Sequence, residues 1–241
     1  MKLDILAFGA HPDDVELSCS GTLAKQNALG NSCGVIDLTQ GELGTRGTPQ
    51  TRMEEAKAAG DIMGLKVRDN LAFRDGFFKN DEEHQLAIVR QIRRYRPEIV
   101  IANAPTDRHP DHGRGSFIVK EASFLAGLKM IKTEWEGEEQ EPWRPQMLLY
   151  YIQFQNLKPD FIVDIGEHIH TKVASIKAYK SQFYDPGSQE PKTVISSKNF
   201  MDSVTYRAQD LGRLIGAEYG EGFISAQDLG LSDLMAIKGV R

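Results

Sequence analysis

Two short polar segments of this chain concentrate the residue types that could do chemistry. Residues 10–14 read Ala-His-Pro-Asp-Asp, and residues 106–112 read Thr-Asp-Arg-His-Pro-Asp-His. Each follows an apolar run of the length of a β-strand. Imidazole and carboxylate groups can bind a metal ion, and they can also move protons between a substrate and water.

Either segment alone also fits ordinary local structure. Asp13 and Asp14 precede a helical pattern, where helix capping and the helix dipole favour acidic residues, and a His-Pro pair is common in turns. The two segments together favour a functional site over local capping and turns, because both are predicted to follow strands of one parallel sheet. The carboxyl ends of such strands meet at one edge, where ligands bind. The sequence therefore favours one shared metal site over two unrelated turns.

The elements that would position these segments alternate between strands and helices. Apolar runs of strand length alternate with segments of helical period, which predicts parallel strands joined by crossover helices. The predicted strands are 3–9, 34–39, 66–71, 98–102, 147–152 and 161–165. The predicted helices are 15–29, 51–63, 82–95, 115–128, 167–181 and 199–217. The expected fold is a single domain over 1–241, an α/β three-layer sandwich with a Rossmann-like, mostly parallel sheet and a less regular C-terminal part. Residues 134–145, rich in Glu, are expected to form an exposed excursion.

Composition excludes several classes of protein. With 241 residues, 40% hydrophobic, the chain can form a full core, which excludes a disordered protein. A net charge of −5 argues against a general nucleic-acid partner. No apolar run reaches the ~18 residues of a membrane helix, so no membrane partner is expected, and the N-terminus lacks a signal-peptide pattern, so a cytoplasmic protein is expected. Cys19 and Cys33 are predicted to be free thiols.

The ligand types indicate which metal the site would hold. Imidazole and carboxylate without a thiolate cluster suit Zn²⁺ in a catalytic site that keeps one position open for water. Cys19 lies too far along its predicted helix to be a fourth ligand. The adjacent Asp13 and Asp14 cannot both point the same way, so one can bind the ion while its neighbour transfers protons.

A strand followed by Ala-His-Pro-Asp-Asp, with a later His-Pro-Asp-His, resembles the zinc-dependent LmbE/PIG-L family of N-acetylglucosaminide deacetylases. The similarity includes Asp-Leu-Thr at 37–39, Gly-Glu-Leu-Gly-Thr-Arg-Gly at 41–47, the Arg-Met-Glu-Glu-Ala helix start at 52–56, Asp75-Gly76, and Ala-Glu-Tyr-Gly-Glu-Gly-Phe at 217–223. These features are most similar to the branch that deacetylates N-acetylglucosaminyl malate in bacillithiol biosynthesis. The resemblance implies a small amino-sugar substrate and a homo-oligomer, a trimer or hexamer.

The resemblance also implies the core of the site. Its three metal ligands match His11, Asp14 and His112. Its general base, which later acts as general acid, matches Asp13. The implied reaction is amide hydrolysis that releases acetate and a free amine.

Further roles follow from the same resemblance. Protonated His109 would stabilise the oxyanion, with Asp111 orienting its ring by a hydrogen bond. Arg52 and Asp75 would contact sugar hydroxyls. The chain departs from some relatives at Phe200, where those proteins carry a tyrosine near the tetrahedral intermediate. Either that role is absent or Tyr184 or Tyr206 supplies it.

The sequence fits two other classes of protein less well. A nucleotide-binding Rossmann enzyme fails because the turn after the first strand lacks G-x-G-x-x-G and the chain has no G-x-x-x-x-G-K-[ST]. A non-catalytic carbohydrate-binding protein would close a structural zinc with four protein ligands. Within the deacetylases, another N-acetylglucosamine conjugate or a chitooligosaccharide is the alternative substrate. The arginines at 90, 93, 94 and 96 are interpreted as the solvated face of a helix.

Overall fold

The structure is a computed structural model that describes residues 1–237. It confirms the predicted α/β sandwich, in which helices cover both faces of a seven-stranded sheet. The strands are β1 (Ile5–Gly9), β2 (Cys33–Thr39), β3 (Val67–Phe73), β4 (Ile99–Ala102), β5 (Glu134–Trp135), β6 (Glu138–Glu139), β7 (Met147–Tyr151), β8 (Phe161–Asp164) and β9 (Gly220–Ser225). The helices are α1 (Asp14–Ala28), α2 (Pro49–Met63), α3 (Glu82–Tyr95), α4 (Pro110–Ala126), α5 (Ile169–Lys177) and α6 (Lys198–Ile215).

The sheet has the order β3-β2-β1-β4-β7-β9-β8. Strands β1 to β4 and β7 are parallel, whereas β9 runs antiparallel to both β7 and β8. The chain moves outward from β1 through β2 to β3 and then returns to place β4 on the other side of β1. This reversal opens a crevice at the carboxyl ends of β1 and β4, where open α/β sheets bind ligands.

Strand β1 is buried on both faces, which explains its unbroken apolar sequence. Ile5 and Ala7 belong to the core cluster that includes Val15 of α1. Leu6 and Phe8 belong to the opposite cluster, which contains the buried residues of α3 and α4. The strand that ends at the first polar segment is therefore held between two cores.

Two boundaries correct the sequence prediction. Helix α4 begins at Pro110 rather than at residue 115, because proline is tolerated at the first helical position and His109 accepts the amide hydrogen of Asp111 as the cap. Asp111 and His112 therefore lie on the first turn of a helix. Strand β9 was not predicted, since its Gly-Glu-Gly sequence has low strand propensity, and its place depends on pairing with β7 and β8.

Arg93 is also a correction, because it does not lie on a solvated helix face. Only 4% of the residue is exposed. Its guanidinium donates to the carbonyls of Ala126, Leu128 and Ile131 at 2.8–3.0 Å. Arg93 thereby satisfies carbonyl groups at and beyond the end of α4, next to the small β5–β6 hairpin.

Cys19 and Cys33 are both buried free thiols, as predicted. Among the described residues, no helix combines the length and apolar character that crossing a membrane requires.

Candidate metal and active site

The two polar segments meet at the crevice between β1 and β4. The ring centroids of His11 and His112 are 5.6 Å apart, and His109 lies 4.7 Å from His11 and 5.2 Å from His112. Asp14 is buried beside them at the start of α1. The fold thus gathers the three expected ligands, although they come from distant parts of the chain.

The Asp14 carboxylate lies close to one ring nitrogen of each of the two imidazoles. One carboxylate oxygen of Asp14 lies 3.5 Å from Nδ1 of His11, and the other lies 3.2 Å from Nε2 of His112. Two ligands that bind one Zn²⁺ at ~2.0–2.1 Å with tetrahedral angles lie ~3.4 Å apart. His109 could replace Asp14 in the set, since His11, His109 and His112 offer donor atoms within 4.8 Å of one another. We favour Asp14, because it is anionic and lies within 3.5 Å of both imidazoles.

Two carboxylates set which imidazole nitrogen is free to bind an ion. Asp107 lies 2.7 Å from Nδ1 of His112, and Asp75 lies 3.1 Å from Nε2 of His11. A carboxylate in these positions accepts the ring N–H, which leaves the opposite nitrogen as a lone-pair donor. Asp75 thus lies behind a metal ligand and also lines the cavity, where the sugar contact expected from the sequence remains a prediction.

Asp14 is held as an anion by a dense set of donors. It accepts the backbone amide of His11 at 2.9 Å, the side-chain amide of Asn103 at 3.0 Å, and the side-chain amide of Gln153. Burial would raise the pKa of Asp14, but the adjacent His112 and His11 hold it well below its usual range. Sequence reasoning missed Asn103 and Gln153. Each follows the carboxyl end of a strand closely, and this position was the available signal.

The Asp13 side chain forms an ion pair with Arg52. Its backbone φ of 113° is in the region that favours glycine, a strain that non-glycine residues tolerate mainly at functional sites. Nη2 of Arg52 donates to Asp13 Oδ2 at 3.0 Å and also to the carbonyl of Pro12. Burial raises the pKa of Asp13 to about 7, against the opposing effect of Arg52. A carboxyl group in this range can exchange protons at neutral pH.

Arg52 therefore has a partner within the protein, Asp13, in addition to any substrate that it contacts. The residue is only 5% exposed, yet it lines the cavity. Its guanidinium fixes the Asp13 carboxylate, and the expected sugar contact stays a prediction.

The contact between Asp111 and His109 differs from the expectation. Nδ1 of His109 accepts the backbone amide of Asp111 at 3.2 Å. The Asp111 carboxylate accepts instead from Arg114 at 2.5 Å and from the amide of Gly76 at 2.7 Å, and it lies 3.5 Å from Nε2 of His11. The backbone rather than the carboxylate thus orients the His109 ring, because His109 caps α4. Burial and the neighbouring histidines lower the pKa of His109.

The site opens into a cavity of about 1090 Å³. Residues 43–46 of the glycine-rich loop form one wall, and residues 192–195 with α6 form another. Phe200 lines this cavity and stacks on Phe183 at 6.2 Å between ring centroids. Tyr184 and Tyr206 are exposed and do not line the cavity.

Comparisons with known proteins agree with this site. The family model described as PIG-L, GlcNAc-PI de-N-acetylase, matches residues 6–123, which include every predicted metal ligand. The diacetylchitobiose deacetylase of Thermococcus kodakarensis is 30% identical over 189 residues, which cover 74% of this chain and 70% of that protein. The chain belongs to the PIG-L family. This confirms the resemblance found in the sequence, and with it the prediction of an N-deacetylase for an N-acetylglucosamine-type substrate.

Solved structures of similar fold extend the comparison. The conserved protein TT1542 from Thermus thermophilus is 36% identical, with a TM-score of 0.83 over 95% of this chain and 98% of that one. The 4-carboxy-2-hydroxymuconate hydratase GalB from Pseudomonas putida shares the fold at 21% identity and a TM-score of 0.78, over 97% of this chain and all of GalB. Because this fold also occurs in a hydratase, the fold alone does not determine the reaction.

Proposed function

We propose that this chain is a zinc-dependent hydrolase that removes the N-acetyl group of N-acetyl-α-D-glucosaminyl L-malate, the substrate of the bacillithiol branch that its sequence resembles. The observation that carries the proposal is the convergence of Nδ1 of His11, the Asp14 carboxylate and Nε2 of His112, with the carboxyl group of Asp13 beside them. Three protein ligands leave a position open, which is typical of catalytic rather than structural zinc sites.

His11, Asp14 and His112 would hold the ion, and two imidazoles with one carboxylate suit zinc. When bound, zinc would supply Lewis acidity, which polarises the acetyl carbonyl and makes a water molecule more acidic. Asp107 and Asp75 keep the two imidazoles in the tautomers that this role requires.

Asp13 moves the proton in this proposal. Arg52 fixes its carboxylate through Oδ2, so the group cannot turn toward Asp14 without losing that ion pair. Asp13 takes a proton from the attacking water and then delivers it to the nitrogen of the departing amine. The C–N bond of the amide breaks as the amine leaves, and acetate is the second product.

His109 stabilises the developing oxyanion as a hydrogen-bond donor. Its Nδ1 accepts the amide of Asp111, so a neutral His109 ring carries its proton on Nε2. This Nε2–H can donate to negative charge on the acetyl oxygen, and an imidazolium is not required. Preorganised donors of this kind contribute ~3–4 kcal/mol to the transition state when they face a developing oxyanion.

Positively charged side chains in the cavity wall favour a substrate that carries an anionic group on the sugar. The Arg108 guanidinium lies 4.6 Å above the ring of Phe154, and Arg207 donates to the carbonyl of Phe154 at 2.7 Å. Lys192 lines the same cavity. Malate would bring two carboxylates to these cations, and Arg guanidinium groups suit carboxylates through paired hydrogen bonds.

A second candidate is a chitooligosaccharide, favoured by the 30% identity to the Thermococcus kodakarensis diacetylchitobiose deacetylase. A neutral disaccharide also fits a cavity of about 1090 Å³ but does not need the cations.

The test is to incubate the zinc-loaded protein with the malate conjugate, N-acetylglucosamine and diacetylchitobiose, and to assay free amine with and without a chelator. We expect the highest kcat/KM for the malate conjugate and no turnover with the chelator. The variant Arg108→Met should raise KM for the malate conjugate while leaving KM for diacetylchitobiose unchanged. Faster turnover of diacetylchitobiose would favour the second candidate, and no amine from any substrate would reject both.

A further inference from the structure

Helix α1, whose first residue is the ligand Asp14, contains a kink. Cys19 has φ −142° and ψ 17°, which is not helical, although helical residues continue on both sides. The short segment before the kink begins at Asp14 and directly follows Asp13. Its direction therefore helps to set where both carboxylates point.

A buried ion pair binds the backbone on both sides of this kink. Nζ of Lys172 donates to the carbonyls of Glu16 and Leu17 at 3.2 and 2.8 Å. The carboxylate of Glu221 accepts the amides of Gly21 and Thr22 at 3.1 and 2.7 Å. In an uninterrupted helix, the amide of Gly21 would donate to the carbonyl of Leu17. Lys172 thus binds carbonyl groups before the kink, and Glu221 binds amide groups after it.

The two side chains also bind each other. Nζ of Lys172 lies 2.7 Å from Glu221 Oε1, and each side chain is only 3% exposed. A Cβ at Gly21 would lie 3.2 Å from Glu221 Oε1 and 2.8 Å from Cδ1 of Ile165, so glycine permits this close approach. A buried ion pair alone is a weak source of stability, because both charges lose water. Here the pair satisfies backbone groups that a kinked helix exposes.

We propose that Lys172 and Glu221 are positioning residues, whose ion pair holds the kink of α1 and so fixes Asp13 and Asp14 for zinc binding and proton transfer. The inference rests on the proposed function. The ion pair connects α5 and β9, which carry these two residues, to the first turn of α1. Neither Lys172 nor Glu221 takes part in the proposed chemical steps.

The test is the zinc affinity of the metal-free full chain, measured by competition with a chelator, together with its thermal unfolding. We expect Lys172→Met to weaken zinc binding by about tenfold or more. The double variant Lys172→Met/Glu221→Gln removes both charges, so it leaves no buried charge without a partner. It should therefore unfold at a higher temperature than Lys172→Met. Its zinc binding should stay weak, since methionine cannot donate to the carbonyls of Glu16 and Leu17.

The matched control is Arg93→Met, which removes another buried cation that donates to backbone carbonyls, on α3, a helix that carries none of the proposed metal ligands. We expect it to lower the unfolding temperature and to leave the zinc affinity within about twofold of wild type. If the double variant binds zinc as wild type does, or if Arg93→Met weakens zinc binding equally, the positioning role is wrong. Should the wild-type chain bind no zinc, the proposed function fails and the inference fails with it.

Discussion

The substitution Asp107→Asn should weaken zinc binding through His112, a residue that it leaves unchanged. The Asp107 side chain is fully buried, and each of its oxygens accepts two hydrogen bonds. Oδ2 faces Nδ1 of His112 at 2.7 Å and the amide of Phe154 at 3.2 Å. Oδ1 accepts the amides of Arg108 and Gln155 at 2.8 and 3.1 Å.

Asparagine has nearly the same shape but only one accepting oxygen. In either orientation of its amide, two of the four donors therefore lose their acceptor. With its NH₂ toward His112, it would favour the tautomer that carries the proton on Nε2 and would block the lone pair that the ion needs. With its NH₂ toward Arg108 and Gln155, the backbone amides of these two exposed residues lose their partner. Loss of such a partner typically weakens metal affinity 10–100-fold, or ~1.4–2.8 kcal/mol.

The assay is chelator competition for zinc with the metal-free protein. Asp81→Asn is the matched control, because Asp81 lies 2.6 Å from Nδ1 of His84 in a similar pair outside the site. We expect Asp107→Asn to bind zinc at least about tenfold more weakly and Asp81→Asn to match wild type. Equal zinc affinity for wild type and Asp107→Asn would refute the argument that a carboxylate sets the His112 tautomer.

Three further outcomes are expected. Asp13→Asn should keep its zinc within about threefold of wild-type affinity while kcat falls by ~10²–10⁴, and lost zinc with intact turnover would contradict its role as base. His109→Ala should lower kcat by ~10²–10³ with little change in KM, whereas an unchanged kcat would exclude oxyanion stabilisation. Gly212→Ala should lower the free energy of unfolding in urea by ~1–3 kcal/mol, because its Cβ would lie 2.7 Å from the Tyr219 amide nitrogen. Gly230→Ala, which meets nothing within 4 Å, is the control and should unfold as wild type does.

Much of the fold was predictable, because parallel strands and crossover helices leave strong periodic patterns. The antiparallel β9 was not, since its glycines give no strand signal and only pairing with β7 and β8 places it. The start of α4 was set too late, because His109 and Pro110 were interpreted as a turn rather than as a helix cap. Arg93 was expected in solvent, but its carbonyl partners come from a loop whose path the sequence pattern does not show.

The sequence by itself determined the family, the order of most elements and the three residues, His11, Asp14 and His112, that the fold brings together. These features depend on local spacing and on short motifs, so they can be identified without coordinates. Only the tertiary structure decided which nitrogen of each imidazole is free to bind an ion, that Asp75 and Asp107 lie against the opposite nitrogens, and that a buried ion pair spans the kink in α1. These contacts join residues from separate strands and helices, and their distances of 2.7–3.1 Å depend on how those elements pack.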